Sequence, residues 1–138
     1  MKIVVSPNPY RDKQFKNARQ ACSILREAGA EVALCLPFDV DKTFEIPHDL
    51  RFQDIQKEIK TADMLICFGG DGTILHSSKI ATEHNLPILG VNIGTMGFIA
   101  ELESGEIELL RRIPKGEYTV EERTMLDVSV GNGRQTIF

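Results

Sequence analysis

An apolar run that ends in glycines and continues into a helix-like stretch is the feature that most constrains the fold of this chain. Met64–Phe68 is apolar, Gly69-Gly70-Asp71-Gly72-Thr73 follows directly, and Ile74–His84 is helix-like. We therefore predict a buried strand, a glycine turn and a helix. The backbone N–H groups at the start of such a helix attract phosphate. A carboxylate at this place repels phosphate, so we infer that Asp71 acts on a proton or a metal beside bound phosphates.

Strand-like and helix-like segments alternate along most of the chain. The predicted strands are Lys2–Ser6, Glu31–Leu36, Met64–Phe68 and Ile88–Asn92, and the predicted helices are Asp12–Ala28, a segment marked by Phe52, Ile55 and Ile59, Ile74–His84 and Glu106–Arg112. This alternation is typical of an α/β fold with three layers around a largely parallel sheet. Ligands of such sheets bind beyond the carboxyl ends of the strands. We expect the two glycine segments, which each follow a strand, to lie at that same edge.

The pattern changes after Pro114. Tyr118–Arg123 and Met125–Val130 have β character, Gly131-Asn132-Gly133 is typical of a hairpin turn, and Gln135–Phe138 begins a returning strand. A lone hairpin is marginally stable in water. We therefore predict an α/β domain over residues 1–115 and the first strands of a truncated, β-rich second domain over residues 116–138.

Charge and cysteine content exclude several classes of function. The formal net charge is −4, which gives no support to binding of nucleic acid or an anionic membrane surface. The chain has no run of apolar residues long enough for a membrane span. Cys22, Cys35 and Cys67 stand singly in apolar surroundings, which argues against a disulfide framework or a zinc site. We predict buried free thiols in a reducing compartment, and hence a cytoplasmic protein.

The first glycine segment supplies most of the candidate site residues. Gly69, Gly70 and Gly72 lack Cβ atoms and allow a ligand to approach the backbone closely. Thr73 is expected to cap the helix or to bond a phosphate oxygen. Asp71 is expected to accept a hydroxyl proton or to hold Mg²⁺. The structural alternative is that Asp71 merely caps the helix from a tight turn.

A second glycine segment, Asn92 to Phe98, follows the fourth strand and suits a nucleotide. In it Asn92, Gly94 and Gly97 would present backbone to phosphate or ribose, and Phe98 would present a ring to a base. The alternative for Phe98 is a place in the hydrophobic core. His76 lies about one and a third helical turns after Asp71 and is a further candidate for ligand contact, although a surface histidine is the simpler interpretation.

The two glycine segments together resemble the NAD kinase family. Gly69 to Leu75 is similar to the family motif GGDGT-x-L, and Asn92 to Phe98 is similar to N-x-G-x-x-G-F. Glu122 to Leu126 is similar to the segment that opens the second domain of the family. GGDG by itself is shared with diacylglycerol kinases, sphingosine kinases and phosphofructokinases. Lipid kinases expect P-x-G-T-x-N at the second segment, and this chain departs from that pattern.

The resemblance implies a Rossmann-like N-terminal domain and transfer of the ATP γ-phosphate to the 2′-hydroxyl of the NAD adenosine ribose, giving NADP. Some relatives also accept polyphosphate. By the same resemblance Asp71 is the general base and Gly72 contacts the dinucleotide. His76 occupies a position that is basic and near the ligand in relatives, and Phe98 lines the dinucleotide pocket. Mg²⁺ or another divalent cation is expected to accompany ATP.

Family members continue into a β-rich domain with an Asn-Glu pair and a G-D-G…T-P-T-G-S-T-A-Y stretch, and this sequence contains neither. We therefore expect an N-terminal fragment that is inactive alone, from a full-length enzyme that forms a homo-oligomer. Two alternatives stay open at this point: a non-catalytic nucleotide-binding module and a lipid kinase relative.

Overall fold

The computed structural model describes residues 1–94, 97–126, 128–130 and 135–137, and its centre is a five-stranded parallel sheet. The strands are β1 (Lys2–Pro7), β2 (Glu31–Leu34), β3 (Met64–Gly69), β4 (Ile88–Asn92) and β5 (Leu102–Glu103). Their order in the sheet is β2-β1-β3-β4-β5. The predicted parallel sheet is confirmed, and β3 and β4 are neighbours in a register that pairs Gly69 with Asn92.

Helices connect these strands. The α-helices are α1 (Lys16–Glu27), α2 (Ile55–Glu58) and α3 (Asp71–Glu83), and 3₁₀ helices span Lys13–Phe15, Ile59–Thr61 and Ser104–Arg112. Helix α3 begins at Asp71, three residues before the predicted start, because the glycines of the motif already form its cap and first turn. The helix predicted around Ile55 is a single α-helical turn that continues as 3₁₀ helix.

Helical elements cover both faces of the sheet. On one face α1 and the 3₁₀ helix Ser104–Arg112 pack over the side chains of Ile3, Val5 and Phe68. On the other face Val4 and Leu65 pack with residues of the α2 and α3 layers. Because both faces are covered, β1 and β3 are continuous apolar runs rather than alternating ones. This arrangement confirms the α/β fold with three layers.

The start of α1 fixes the segment that leaves β1, and a glycine ends the helix. The buried carboxylate of Asp12 accepts hydrogen bonds from the backbone N–H groups of Asn17 and Ala18 at 3.0 and 2.9 Å, and so supplies acceptors to the first turn of α1. At the other end Gly29 has a φ of +98°, which terminates the helix as its sequence position predicts. Anchoring of Asp12 leaves its neighbour Arg11 on the outside of the turn, where it is exposed.

The region after residue 117 differs in part from expectation. The strand predicted over Tyr118–Arg123 is wrong, since this segment has no regular secondary structure and pairs with no strand of the described residues. Two short antiparallel strands, β6 (Val128–Val130) and β7 (Gln135–Ile137), do follow. The predicted turn at residues 131–133 lies outside the described residues. The division into domains at residue 115 stays a prediction.

Across the part of the chain that the structure describes, none of the helices has the length and apolar character needed to cross a membrane.

Candidate functional site

A cavity lies where the strand order of the sheet reverses. β1 and β3 are parallel neighbours, but the chain proceeds from β1 to β2 on one side and from β3 to β4 on the other. The segments that leave β1 and β3 diverge at this point, which is where open α/β sheets bind ligands. The cavity has a volume of about 450 Å³, within the usual range for small-molecule sites. Its lining residues are Asn8, Arg11, Phe38, Gly70, Asp71, Gly72, Thr73, His76 and Ile93.

Gly69 and Thr73 close the turn between β3 and α3. Gly69 is buried, and a Cβ added to it would lie 2.5 Å from Thr73 Oγ1 and 2.6 Å from Thr73 Cβ. Thr73 is only 8% exposed, and its Oγ1 accepts a hydrogen bond of 2.9 Å from Asn8 Nδ2. Packing against Thr73 therefore explains why residue 69 is a glycine. Thr73 in turn joins the start of α3 to the turn that follows β1.

Packing does not account for the other two glycines of the motif. A Cβ added to Gly70 or to Gly72 would meet no atom within 4 Å, and neither residue has a positive φ. Gly70 is the N-cap of α3 and Gly72 lies in its first turn, where alanine is the better helix former. Both residues line the cavity. Open space in front of the backbone is what a ligand that approaches the helix N-terminus needs.

Asp71 links the two glycine segments. Its Oδ1 accepts hydrogen bonds from the backbone N–H groups of Phe98 at 3.1 Å and Ile99 at 3.2 Å, and its Oδ2 lies 3.1 Å from the same Phe98 nitrogen. The N-cap of α3 is Gly70, and in the described residues the Asp71 carboxylate bonds to the second glycine segment rather than to its own helix. The carboxylate is half-buried at the cavity and oriented by main chain from the neighbouring strand connection.

The second glycine segment folds against Asp71, as expected for loops at one sheet edge. A Cβ on Gly97 would lie 2.9 Å from Asp71 Oδ1 and 3.1 Å from Asn92 Oδ1, so a larger residue there would have to displace the Asp71 carboxylate. Buried Asn92 donates from Nδ2 to Glu103 Oε2 at 3.0 Å. Gly94 has a φ of +105°, which glycine adopts without strain. Thr95 and Met96 lie outside the described residues.

Phe98 is not a core residue. Its side chain is 85% exposed, which overturns the alternative that places it in the hydrophobic core. The backbone explains the difference, because the Phe98 N–H is held by Asp71 at the outer edge of the sheet. The ring is not among the residues that line the cavity, and its contact with a dinucleotide stays a prediction.

His76 is exposed but has defined contacts at the cavity. Its Nε2 lies 3.1 Å from the carbonyl oxygen of Pro37, and an acceptor there requires the proton on Nε2. Its ring meets Phe38 edge to face, with centroids 5.9 Å apart. The structure thus places His76 in the cavity wall, beside the segment that follows β2.

Sequence reasoning missed the contribution of Asn8, Arg11 and Phe38 to this cavity. The sequence did contain a signal for Asn8 and Arg11. Both follow β1, and the turn after this strand must lie at the same sheet edge as the glycine segments. The Arg11 guanidinium approaches the second segment, with Nη1 3.6 Å from the position of a Cβ on Gly94. Among the described residues no carboxylate forms an ion pair with Arg11.

The cysteines are buried free thiols, as predicted. Burial raises the pKa of both Cys35 and Cys67 to about 12, which keeps these thiols protonated and unreactive at neutral pH. In the described parts of the chain no group of three or more His, Cys, Asp or Glu side chains forms a metal-binding cluster.

Comparison with known proteins identifies the family of this chain. A family model described as the ATP-NAD kinase N-terminal domain matches residues 2–118. The NAD kinase of Corynebacterium diphtheriae is 31% identical over 98% of this chain and 44% of its own length, and that of Bacteroides fragilis is 32% identical over 93% and 45%. The NAD kinase of Methanopyrus kandleri is 37% identical over 83% of the chain and 39% of its own length. The chain spans less than half the length of these relatives. It belongs to the NAD kinase family.

Proposed function

We propose that this chain supplies the phosphoryl-transfer site of an NAD kinase, which moves the γ-phosphate of ATP to the 2′-hydroxyl of the NAD adenosine ribose and forms NADP. One observation supports this most directly: Gly70 and Gly72 leave open space on either side of an oriented carboxylate at the N-terminus of a helix. Family membership and the position at the strand-order reversal favour the same reaction.

Asp71 is the proposed general base. A carboxylate has about four lone-pair positions, so the two N–H groups that orient it leave acceptor capacity for a substrate hydroxyl. In the reaction the 2′-hydroxyl proton passes to Asp71 while the ribose oxygen bonds to the γ-phosphorus. The bond from that phosphorus to the β–γ bridging oxygen breaks, and ADP leaves with the electron pair. Transfer to a positioned base contributes about 10²- to 10⁴-fold in rate.

The start of α3 is the proposed cradle for the transferring phosphate. The first N–H groups of a helix have no partners inside it, and those of Asp71, Gly72 and Thr73 occupy this position in α3. They add hydrogen bonds and the positive end of the helix dipole to the site. The hydrogen bond between Thr73 and Asn8 holds this first turn in place.

The described lining residues also fit a divalent cation of the kind that accompanies ATP. Asp71 is the one carboxylate among them, and Mg²⁺ commonly takes one or two carboxylates with the remaining ligands from substrate phosphates and water. When bound, the cation would offset the charge of the transferring phosphoryl group. Because Asp71 is the proposed base, the cation would be held mainly by substrate phosphates and water beside this carboxylate.

Replacement of Asp71 tests the proposal. Asp71→Asn, made in the full-length enzyme, keeps an oxygen that can accept the Phe98 N–H but removes the base, so NADP formation is expected to fall by at least about 10²-fold while NAD still binds. Glu83→Gln at the far end of α3 is the matched control and should leave the rate unchanged. Near-normal turnover by Asp71→Asn would exclude the general-base role. A full-length wild-type protein that binds NAD and ATP without forming NADP would favour a non-catalytic binding module.

The cellular setting is part of the same proposal. Three buried, unpaired thiols suit a reducing compartment, which supports a cytoplasmic location. The homo-oligomer expected from the family resemblance stays a prediction.

A further inference from the structure

We infer that Arg11 and Phe38 determine which phosphoryl donor this cavity accepts, with Arg11 binding the phosphates of the donor and Phe38 stacking on its nucleobase. The inference rests on the proposed function, since it assigns the donor side of the same site. It selects a nucleoside triphosphate over an inorganic polyphosphate.

The charge balance of the cavity is the first argument. Asp71 places a negative charge where phosphates must bind, and Arg11 is the one guanidinium among the described lining residues. No described carboxylate pairs with it, so its five N–H donors are available to a ligand. A guanidinium binds phosphate through two parallel hydrogen bonds, which gives both affinity and orientation.

The position of Arg11 is the second argument. The turn that carries it is held at both sides, by the hydrogen bond of Asn8 to Thr73 and by the buried carboxylate of Asp12. The guanidinium lies close to the second glycine segment, with 3.6 Å between Nη1 and a Cβ built on Gly94. The backbone around Arg11 is therefore fixed beside the N-terminus of α3 before any ligand arrives.

Phe38 supplies an aromatic surface in the same cavity. It comes from the segment after β2, while Arg11 follows β1 and the glycines follow β3, so three adjacent strands contribute. The Phe38 ring is half-buried and lies nearly parallel to Tyr10, at an interplanar angle of 8° and a centroid distance of 6.1 Å. His76 contacts it edge to face. A ring held on two sides and facing a cavity is suited to stack on a base, and such stacking is sequence-tolerant and favourable.

The two residues act on different parts of a donor. Phosphates are common to ATP and inorganic polyphosphate, so Arg11 contributes to binding of both. A base is present only in the nucleotide, so Phe38 contributes only to binding of ATP. This difference permits a test that compares two donors on the same variants.

The experiment measures dissociation constants of MgATP and magnesium tripolyphosphate by calorimetry at one ionic strength. Arg11→Ala should weaken binding of both by about 10- to 100-fold. Phe38→Ala should weaken ATP about tenfold and leave tripolyphosphate within about twofold, while Phe38→Tyr should restore ATP binding. Arg51→Ala removes a positive charge from another exposed position and is the matched control. Thermal unfolding of each variant confirms that it is folded.

Several results would overturn the inference. Unchanged affinity for both donors in Arg11→Ala would exclude phosphate binding by Arg11. Equal weakening of ATP and tripolyphosphate binding by Phe38→Ala would exclude stacking of Phe38 on the base. Wild-type protein that binds neither ligand would exclude the donor site altogether. The proposed function fails separately: if the variants shift donor affinity as expected but the full-length wild type forms no NADP, the donor site stands and the kinase activity does not.

Discussion

Gly72→Ala should make the ligand-free protein more stable and less active. Gly72 lies in the first turn of α3 with a negative φ, and a Cβ added to it meets no atom within 4 Å. Replacement of glycine by alanine at a compatible position removes unfolded-state entropy and improves helix propensity, together worth about 0.5 to 1 kcal/mol. For a chain of this length the melting temperature should rise by about 2 to 4 °C.

Ligand affinity and activity, by contrast, should fall in Gly72→Ala. The new methyl group occupies the open space beside Asp71, where the proposed ligand approaches the main chain. Displacement of a phosphate or ribose by a fraction of an ångström weakens its hydrogen bonds, and we expect a loss of at least about tenfold in NADP formation by the full-length enzyme. Thermal unfolding without ligand and a coupled assay of NADP formation measure the two effects separately.

Gly105→Ala is the matched control for this prediction. Gly105 belongs to the 3₁₀ helix Ser104–Arg112, lies outside the cavity, and a Cβ added to it also meets no atom within 4 Å. It should leave activity unchanged. Wild-type activity in Gly72→Ala would show that ligand binding does not require a glycine at this position. A loss of stability would show that Gly72 does not lie in the first turn of α3, because alanine should stabilise a helix there.

Two further predictions concern stability. Gly69→Ala brings a Cβ to 2.6 Å from Thr73 Cβ, a contact that no rotamer change relieves, and should cost about 2 to 4 kcal/mol in chemical denaturation through overpacking and loss of the Asn8 hydrogen bond; a midpoint equal to that of wild type would contradict this. Because burial raises the pKa of Cys67 from 9.0 to about 12, the folded state retains a proton that the unfolded state loses above pH 9. The free energy of unfolding should therefore fall between pH 9 and pH 12, by about 1.4 kcal/mol per pH unit for this thiol, and Cys67→Ala should flatten that slope; identical slopes would argue that the thiol is hydrated.

The architecture was predictable because parallel strands and glycine turns have strong local signals. The apolar runs of β1 and β3, the stop at Gly29 and the common edge of the two glycine segments all follow from residue pattern. The strand predicted over Tyr118–Arg123 was not correct, because β propensity records side-chain fit to a sheet and cannot supply a partner strand.

The details of the site needed tertiary structure. Local sequence could not distinguish Gly69, which packing requires, from Gly72, in front of which space is open. It could not place Phe38 or Arg11 in the cavity either, since both enter it through connections whose path depends on long-range contacts such as the stacking of Tyr10 on Phe38.

The hydrogen bonds of Asp71 show how a carboxylate can stand beside the proposed phosphate site. Its negative charge is opposed by the N–H groups of Phe98 and Ile99 and by the N-terminus of its own helix, which reduces repulsion of an incoming phosphate. The same bonds tie Asp71 to the second glycine segment, so any ligand that displaces Phe98 also reorients the proposed base. In the proposed reaction, binding at the second segment and proton transfer at the first would therefore be coupled through one side chain.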